Sequence, residues 1–174
     1  YAIIALLVRI KLGSPVLFTQ YRPGLIDPKT GKERIFKMYK FRTMTDKKDA
    51  EGNLLPDEVR LTKFGAWLRS TSLDELPEAF CILNGTMTLI GPRPQLVRDM
   101  VFMSEEQRMR HTAKPGLSGL AQVSGRNAIS WDRKLQYDLE YIEHVSFGRD
   151  IKILFKTIFK VLKNEDNVNN GATL

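Results

Sequence analysis

Residues 69–80 read RSTSLDELPEAF. Asp74 and Glu75 stand side by side, just past Ser72 and two residues before Pro77. Two readings of this stretch compete. In the first, Ser72-Leu-Asp-Glu is a capping box, with Glu75 at the third helical position reaching back to Ser72. Acidic residues in a first turn also oppose the helix dipole. The helix would then run from Ser72 to Asn84 and stop at Gly85. In the second reading Pro77 breaks that register, because its missing N–H forfeits a backbone bond at the fifth helical position. A helix starting at Pro77 leaves Asp74 and Glu75 on the turn before it, free to face a ligand.

The basic residues around the pair give the second reading weight. Arg69 precedes it, Arg93 lies in GPRP, Arg126 lies in SGRN, and Lys40 and Arg42 lie in YKFRTM. In loops rich in glycine and proline the backbone can approach a phosphate, and a guanidinium can grip it as a fork. Taken singly, each of these charges is also an ordinary solvated side chain.

The whole chain points the same way. It has 174 residues, a net charge of +7 and a pI near 9.6. That length is one domain with a real core. The charge calls for an anionic partner: nucleic acid, a phosphorylated small molecule or an anionic membrane surface. No basic helix or aromatic-interleaved motif of a nucleic-acid module is present, so nucleic acid is not expected as a partner. The single cysteine, Cys81, excludes a disulfide framework and a cysteine-built zinc site. His111 and His144 are too few and too isolated for a metal cluster.

Outward from the pair, VLFTQYRPG and RIFKMYKFRTM read as two strands joined by LIDPKTGKE, whose Asp-Pro and Thr-Gly are turn chemistry. The polar stretch TDKKDAEGNLLPDE is a loop. RLTKFGAWLRS has helical spacing through Leu61, Phe64 and Leu68. TMTLIGPRP is short and extended, since residues before proline avoid the helical region. Ser104 and Gln107 form a capping-box pattern for a helix running to about His111. KPGLSGLAQVSGRN, with four glycines and a proline, reads as a loop. Ser130 caps WDRKLQYDLEYIEHV.

The two ends are amphipathic. The opening YAIIALLVRIKLGSP has an apolar run that ends at Arg9, short of the ~20 residues that span a bilayer. It lacks the basic start and cleavage site of a signal peptide. It is either a core helix or the end of a membrane-embedded one. In RDIKILFKTIFKVLK, Ile151, Leu154, Phe155, Ile158 and Leu162 fall on one face and Lys152, Lys156, Lys160 and Lys163 on the other, with Ile153 off pattern. Such a helix packs on a core or lies in a membrane interface. The tail NEDNVNNGATL is expected to be disordered.

At this point the motifs, in their order, become specific. GSPVLFTQYRPG, FKMYKFRTM, LRSTSLDELPE, IGPRPQ, RHTAKPGLSGLAQVSGRNAISW and the helix holding Asp138 resemble the monotopic phosphoglycosyl transferases, the bacterial sugar transferase family. They cover roughly residues 12 to 163 without a large intervening domain, as in the small members. The resemblance implies transfer of a sugar-1-phosphate from a UDP-sugar to a polyprenyl phosphate, usually undecaprenyl phosphate, with release of UMP. It implies two displacements through a covalent aspartyl intermediate, with Asp74 as nucleophile and Glu75 helping to hold Mg²⁺. Arg69 and Arg93 would take the phosphates, Lys40 would add charge support, and Arg126 would contact the nucleotide or sugar. Asp138 would orient a basic partner or assist the metal. His111 would be structural. The GRNAISW form resembles small members that use N-acetylated UDP-sugars. Leu120 and Ser124, standing where many relatives have Trp and Asn, bear on sugar choice.

The fold implied is mixed α/β, largely helical, with a small antiparallel hairpin, membrane-associated through interfacial amphipathic helices. Residues 1–12 would be the end of an N-terminal membrane helix whose re-entrant part is missing, 13–163 the catalytic domain and 164–174 the tail. Ser14-Pro15 lies in a later stretch than the family's helix break. The expected setting is the cytoplasmic face of the bacterial inner membrane, with membrane lipids and downstream glycosyltransferases as partners. A catalytically dead membrane-surface scaffold is the alternative that the intact Asp74, Glu75, Arg69 and Arg93 argue against.

Overall fold

The computed structural model describes residues 1–125 and 128–163. Arg126 and the tail from 164 to 174 lie outside the described residues. The fold is mixed α/β and largely helical, as expected.

The hairpin forms the floor of the molecule. Strands β1 (Leu17–Ile26) and β2 (Glu33–Phe41) pair antiparallel, with Leu17 opposite Phe41 and Arg22 opposite Phe36. Asp27 organises the turn by accepting from the Lys29 backbone N–H at 2.8 Å. Side chains alternate across a strand, so Phe36, Met38 and Lys40 share one face of β2. Phe36 and Met38 pack there against Cys81 and Met87, while Lys40 is left at the rim.

Helix α1 (Ala2–Leu12) seats Val8 and Leu12 against Phe41 and Leu68. Leu68 is fully buried, and its truncation to alanine should cost about 2–5 kcal/mol. Arg42 fastens this corner by donating to the carbonyls of Leu12 (2.9 Å), Ser14 (2.8 Å) and Met44 (2.9 Å). A short helix α2 (Asp57–Arg60) leads into α3 (Lys63–Ser70), which Thr62 caps by accepting from the Gly65 N–H at 2.9 Å. A β-carbon at Gly65 would stand 1.8 Å from the Thr43 carbonyl oxygen. Only glycine lets α3 lie this close to the end of β2.

The segment carrying Asp74 and Glu75 follows α3. Leu73–Glu78 is a 3₁₀ helix containing Pro77, and α4 (Ala79–Leu83) starts only after it. The single helix from Ser72 to Asn84 is therefore corrected to two pieces, because Pro77 cannot continue an α-helical ladder. The capping box is not formed. Ser72 sits in the left-handed region at φ 56° and makes no side-chain cap.

The Gly-rich stretch from 114 to 125 is also corrected. It holds strand β4 (Gly116–Ser118) and helix α6 (Leu120–Ser124) rather than a loop. Strand β3 (Thr88–Ile90) pairs in parallel with β4, Thr88 opposite Gly116 and Ile90 opposite Ser118. A β-carbon at Gly116 would fall 2.1 Å from the Gly91 nitrogen. These glycines mark a close backbone crossing, which composition alone does not separate from a flexible loop.

Between β3 and β4 the chain makes a 3₁₀ turn at Val97–Phe102, helix α5 (Glu105–Arg108) and a 3₁₀ turn at Met109–Thr112. The Ser104–Gln107 capping box is present, with reciprocal bonds of 3.0 and 3.1 Å. Helix α7 (Trp131–Glu143) starts at Ser130, whose hydroxyl accepts from the Arg133 N–H. Helix α8 (Phe147–Lys163) packs on it through Ile153, which joins Ile90, Val123 and Tyr141 in a third core cluster. This corrects the reading of the last helix. Ile153 is its buried residue, whereas Phe155, Ile158, Phe159 and Leu162 are exposed. The helix thus presents three sectors: one to the core, one apolar and outward, and one of lysines. Among the described residues no helix is long and apolar enough to cross a membrane.

Candidate active site

The carboxylate pair lies on the 3₁₀ turn above the Lys40 end of β2. Glu75 Oε1 accepts from Lys40 Nζ at 2.6 Å and from Arg93 Nη2 at 3.0 Å. No hydrogen bond reaches its Oε2 among the described residues. Lys40 also pairs with Glu78 at 3.2 Å. Glu78 is 3 % exposed and Asp74 9 %, so three carboxylates share one partly desolvated corner.

Their environments drive the titrations apart. Burial, helped by the charge on Glu75, pushes Asp74 up to about 6 against the pull of Lys40, Arg69 and Arg93. Burial pushes Glu78 up to about 7 in the same way. Burial acts on Glu75 too, but the charges and hydrogen bonds of Arg93 and Lys40 outweigh it and hold Glu75 well below the usual carboxylate range. One carboxylate is thus locked as an anion between two cations, while its neighbour has a basic, reactive oxygen.

Arg69, at the end of α3, donates to Thr43 Oγ1 at 3.1 Å and lines the same cavity. Arg93, in the loop after β3, is positioned from behind. Arg110 donates to the Arg93 carbonyl at 2.6 Å and grips Asp138 Oδ2 through Nε (2.9 Å) and Nη2 (2.6 Å). Arg110 and Asp138 are each 1 % exposed. Asp138 thus holds a basic side chain, Arg110, which in turn holds the Arg93 carbonyl. His111 is buried, its Nδ1 against Glu33 Oε1 at 3.1 Å and its Nε2 against Arg110 Nη1 at 3.3 Å. Burial and the Arg110 charge lower it to about 4. The ring is neutral at pH 7 and bridges Glu33 and Arg110 inside the fold.

These groups open onto a cavity of about 830 Å³ lined by Lys40, Arg69, Asp74, Glu75, Arg93 and Asp138. That volume falls within the ~300–1,000 Å³ of small-molecule sites. Sequence reasoning missed several of its residues. Arg22 lines it, donates to the Pro94 carbonyl at 3.2 Å, and is lowered to about 10 by burial and by Arg93. The signal was available, since strand alternation puts Arg22 and Gln20 on one face of β1. Gln122 and Trp131 also line it, in a stretch that reads as a loop and a helix start; outside the lining, Glu78 pairs with Lys40 and Arg110 holds the Arg93 carbonyl.

The residues also fit the expected divalent ion. Mg²⁺ needs only one or two carboxylates when substrate phosphates and water complete its shell. Glu75, whose Oε2 accepts no hydrogen bond among the described residues, is the carboxylate that could hold such an ion beside a phosphate site.

The sequence is similar to those of known proteins. An uncharacterized sugar transferase, EpsL, of Bacillus subtilis (strain 168) is 52% identical over 158 residues, covering 91% of this chain and 75% of its own length. UDP-glucose:undecaprenyl-phosphate glucose-1-phosphate transferases of Klebsiella pneumoniae and Escherichia coli (strain K12) are 38% and 37% identical over 94% and 93% of the chain. The chain spans 36% of the length of each of those two. A family model described as bacterial sugar transferase matches residues 1–164 of the 174. The motifs that surround Asp74 and Glu75 therefore carry a true relationship: the chain belongs to the bacterial sugar transferase family.

Proposed function

We propose that the protein moves a sugar-1-phosphate from a UDP-sugar to undecaprenyl phosphate through a covalent intermediate on Asp74. The observation that carries this reading is the contrast within the pair: Glu75 fixed as an anion by Lys40 and Arg93, Asp74 raised to about 6 beside it. The named activities of the Klebsiella and Escherichia relatives support the donor and acceptor classes.

The steps balance as follows. An ionised Asp74 oxygen attacks the sugar-side phosphorus of the donor. The bond from that phosphorus to the UMP oxygen breaks, and UMP leaves with the electron pair. An acyl phosphate joins Asp74 to the sugar phosphate. An oxygen of the lipid phosphate then attacks the same phosphorus and expels the Asp74 carboxylate, forming the lipid diphosphate-sugar. That oxygen is already anionic at neutral pH, so no strong general base is needed. Arg93 and Arg69 bind and orient the diphosphate, and Lys40 balances the carboxylates beneath it. Mg²⁺ held by Glu75, when bound, would neutralise charge on the phosphates so that an anionic nucleophile can approach.

The membrane setting belongs to the same reading. Helix α1 leaves Ile3, Leu6 and Ile10 exposed, at 75%, 60% and 67%. Helix α8 leaves Phe155 and Leu162 exposed at 66% and 79%, beside its lysines. Faces of this kind are stabilised at the boundary of an anionic bilayer. The lipid acceptor has to arrive there, at the cytoplasmic face of the membrane, where downstream glycosyltransferases would take over the product. An N-acetylated donor is the narrower form of the proposal.

The test is UMP release from a panel of UDP-sugars, glucose and N-acetylated hexoses included, with Mg²⁺ and undecaprenyl phosphate. Release of up to one UMP per protein with donor alone, and repeated turnover only when undecaprenyl phosphate is added, supports the reading. Liposome binding with no release for any donor would replace it with the scaffold.

A further inference from the structure

Besides Nε of Arg22, four buried side-chain atoms on residues that line the cavity have no hydrogen-bond partner among the described residues: both amide atoms of Gln122, Nε1 of Trp131 and Oδ1 of Asp138. All three residues line the cavity that holds Asp74 and Glu75. Gln122 is 7 % exposed and Asp138 1 %. Buried polar groups are almost always paired, so an unpaired set on residues that line one cavity points to a place where a ligand supplies the partners. The backbone makes room there. A β-carbon at Gly119 would stand 2.9 Å from Gln122 Oε1 and 2.1 Å from the Gly91 carbonyl oxygen. Any other residue at 119 would crowd the amide.

The donor and acceptor pattern selects the ligand group. A glutamine amide presents a carbonyl oxygen and an N–H on the same side of one plane. Its complement is a cis pair of N–H and C=O, as on the imide edge of uracil, which it can meet with two parallel bonds. The acetamido group of a sugar is a trans amide, with N–H and C=O pointing in opposite directions, so it can offer one side chain only one bond. The Trp131 indole N–H is a donor only, which suits a second ring carbonyl. Asp138 Oδ1 is an acceptor, which suits a ribose hydroxyl. The wall is also tied to the phosphate site, because Asp138 holds Arg110 and Arg110 holds the Arg93 carbonyl.

We propose that Gln122 and Trp131 form the base-reading subsite, with Gln122 pairing to the imide edge of uracil. This rests on the donor being a UDP-sugar, and it assigns the part of the donor that stays with the leaving group.

The experiment is equilibrium binding to the full chain, with four probes: UMP, N3-methyl-UMP, UDP-N-acetylglucosamine and inorganic diphosphate. Methylation at N3 removes the imide donor and blocks the edge. Wild type should bind UMP about ten-fold or more tightly than N3-methyl-UMP, the scale of one or two lost hydrogen bonds. Gln122→Met should bring the two to the same weak affinity and leave diphosphate binding unchanged. Its melting temperature should not fall, since an unpaired buried amide is being removed. Trp131→Phe should weaken UMP by a few-fold, and it keeps the test open if Gln122→Met does not fold. Equal binding of the two monophosphates by wild type, or discrimination that survives in Gln122→Met, would overturn the assignment. So would a Gln122→Met loss seen with UDP-N-acetylglucosamine but not with UMP, which would give the amide to the sugar. In those three cases the UDP-sugar reading still stands. Binding of diphosphate with no binding of UMP or of the UDP-sugar would instead remove that reading, and this subsite with it.

Discussion

At the residue scale the chemistry turns on one carboxyl group being raised and its neighbour lowered. Asp74 is ordinarily half ionised near 3.8 and here near 6. The folded state therefore favours its protonated form, and stability is lost as pH rises from about 4 to about 6. At pH 7 that loss is complete and amounts to roughly 3 kcal/mol. Asp74→Asn should abolish turnover and yet raise the melting temperature at pH 7, with the gain shrinking toward zero near pH 4. A melting temperature that falls at pH 7 would contradict the burial cost assigned to Asp74. The same titration sets the kinetics. With donor below saturation, the rate reports the free enzyme, so it should fall about ten-fold per pH unit below about pH 6.

Ser72 belongs to this scale too. Its left-handed φ of 56° costs of order 1 kcal/mol for a residue with a side chain. Ser72→Gly should be neutral or stabilising in a thermal melt, whereas a true capping residue would show a loss.

At the scale of elements, the sequence disclosed whatever depends on near neighbours. The hairpin was legible because Val, Phe, Tyr and Thr alternate on either side of an Asp-Pro turn. The caps at Ser104 and Ser130 were legible because a cap is a local bond. The turn that carries Asp74 and Glu75 was legible because Pro77 conflicts with a continuous helix around it. Three features were not legible, and each depends on distant partners. The pairing of β3 with β4 joins segments 28 residues apart, counted from Thr88 to Gly116. The Arg110–Asp138 pair also spans 28 residues. The burial of Ile153 depends on where α7 and β3 stand, which the period of α8 alone does not disclose.

Two predictions concern elements. Gly116→Ala should be strongly destabilising, by several kcal/mol, because a β-carbon there meets Gly91 backbone at 2.1 Å; a thermal melt reads it. Phe155→Ser with Phe159→Ser should cut binding to anionic vesicles about ten-fold or more while leaving the melting temperature within a few degrees, because both rings are exposed. Unchanged vesicle binding would take α8 out of the membrane interface.

At the scale of the whole molecule, the buried Arg110–Asp138 pair ties three regions together. It links the turn before β4, helix α7 and the loop that presents Arg93. Removing one partner leaves an uncompensated buried charge, so Arg110→Met should cost about 3–5 kcal/mol. Arg110→Met with Asp138→Leu should recover much of that stability. It should not recover activity, because nothing then holds the Arg93 carbonyl. Recovery of both would make the pair a packing feature and no more. The net charge of +7 acts at this scale as well, favouring anionic surfaces and phosphorylated substrates without choosing among them. The choice comes from the cavity.

The most direct test of the central claim omits the lipid acceptor. The full chain is mixed with Mg²⁺ and a UDP-sugar labelled at the sugar-side phosphate, and the protein is assayed for bound label. The account predicts label on Asp74, one UMP released per label, none in Asp74→Asn, and discharge of the label when undecaprenyl phosphate is added. UMP release that occurs only with lipid present and never leaves label on the protein would contradict it, and would make the transfer a single direct displacement.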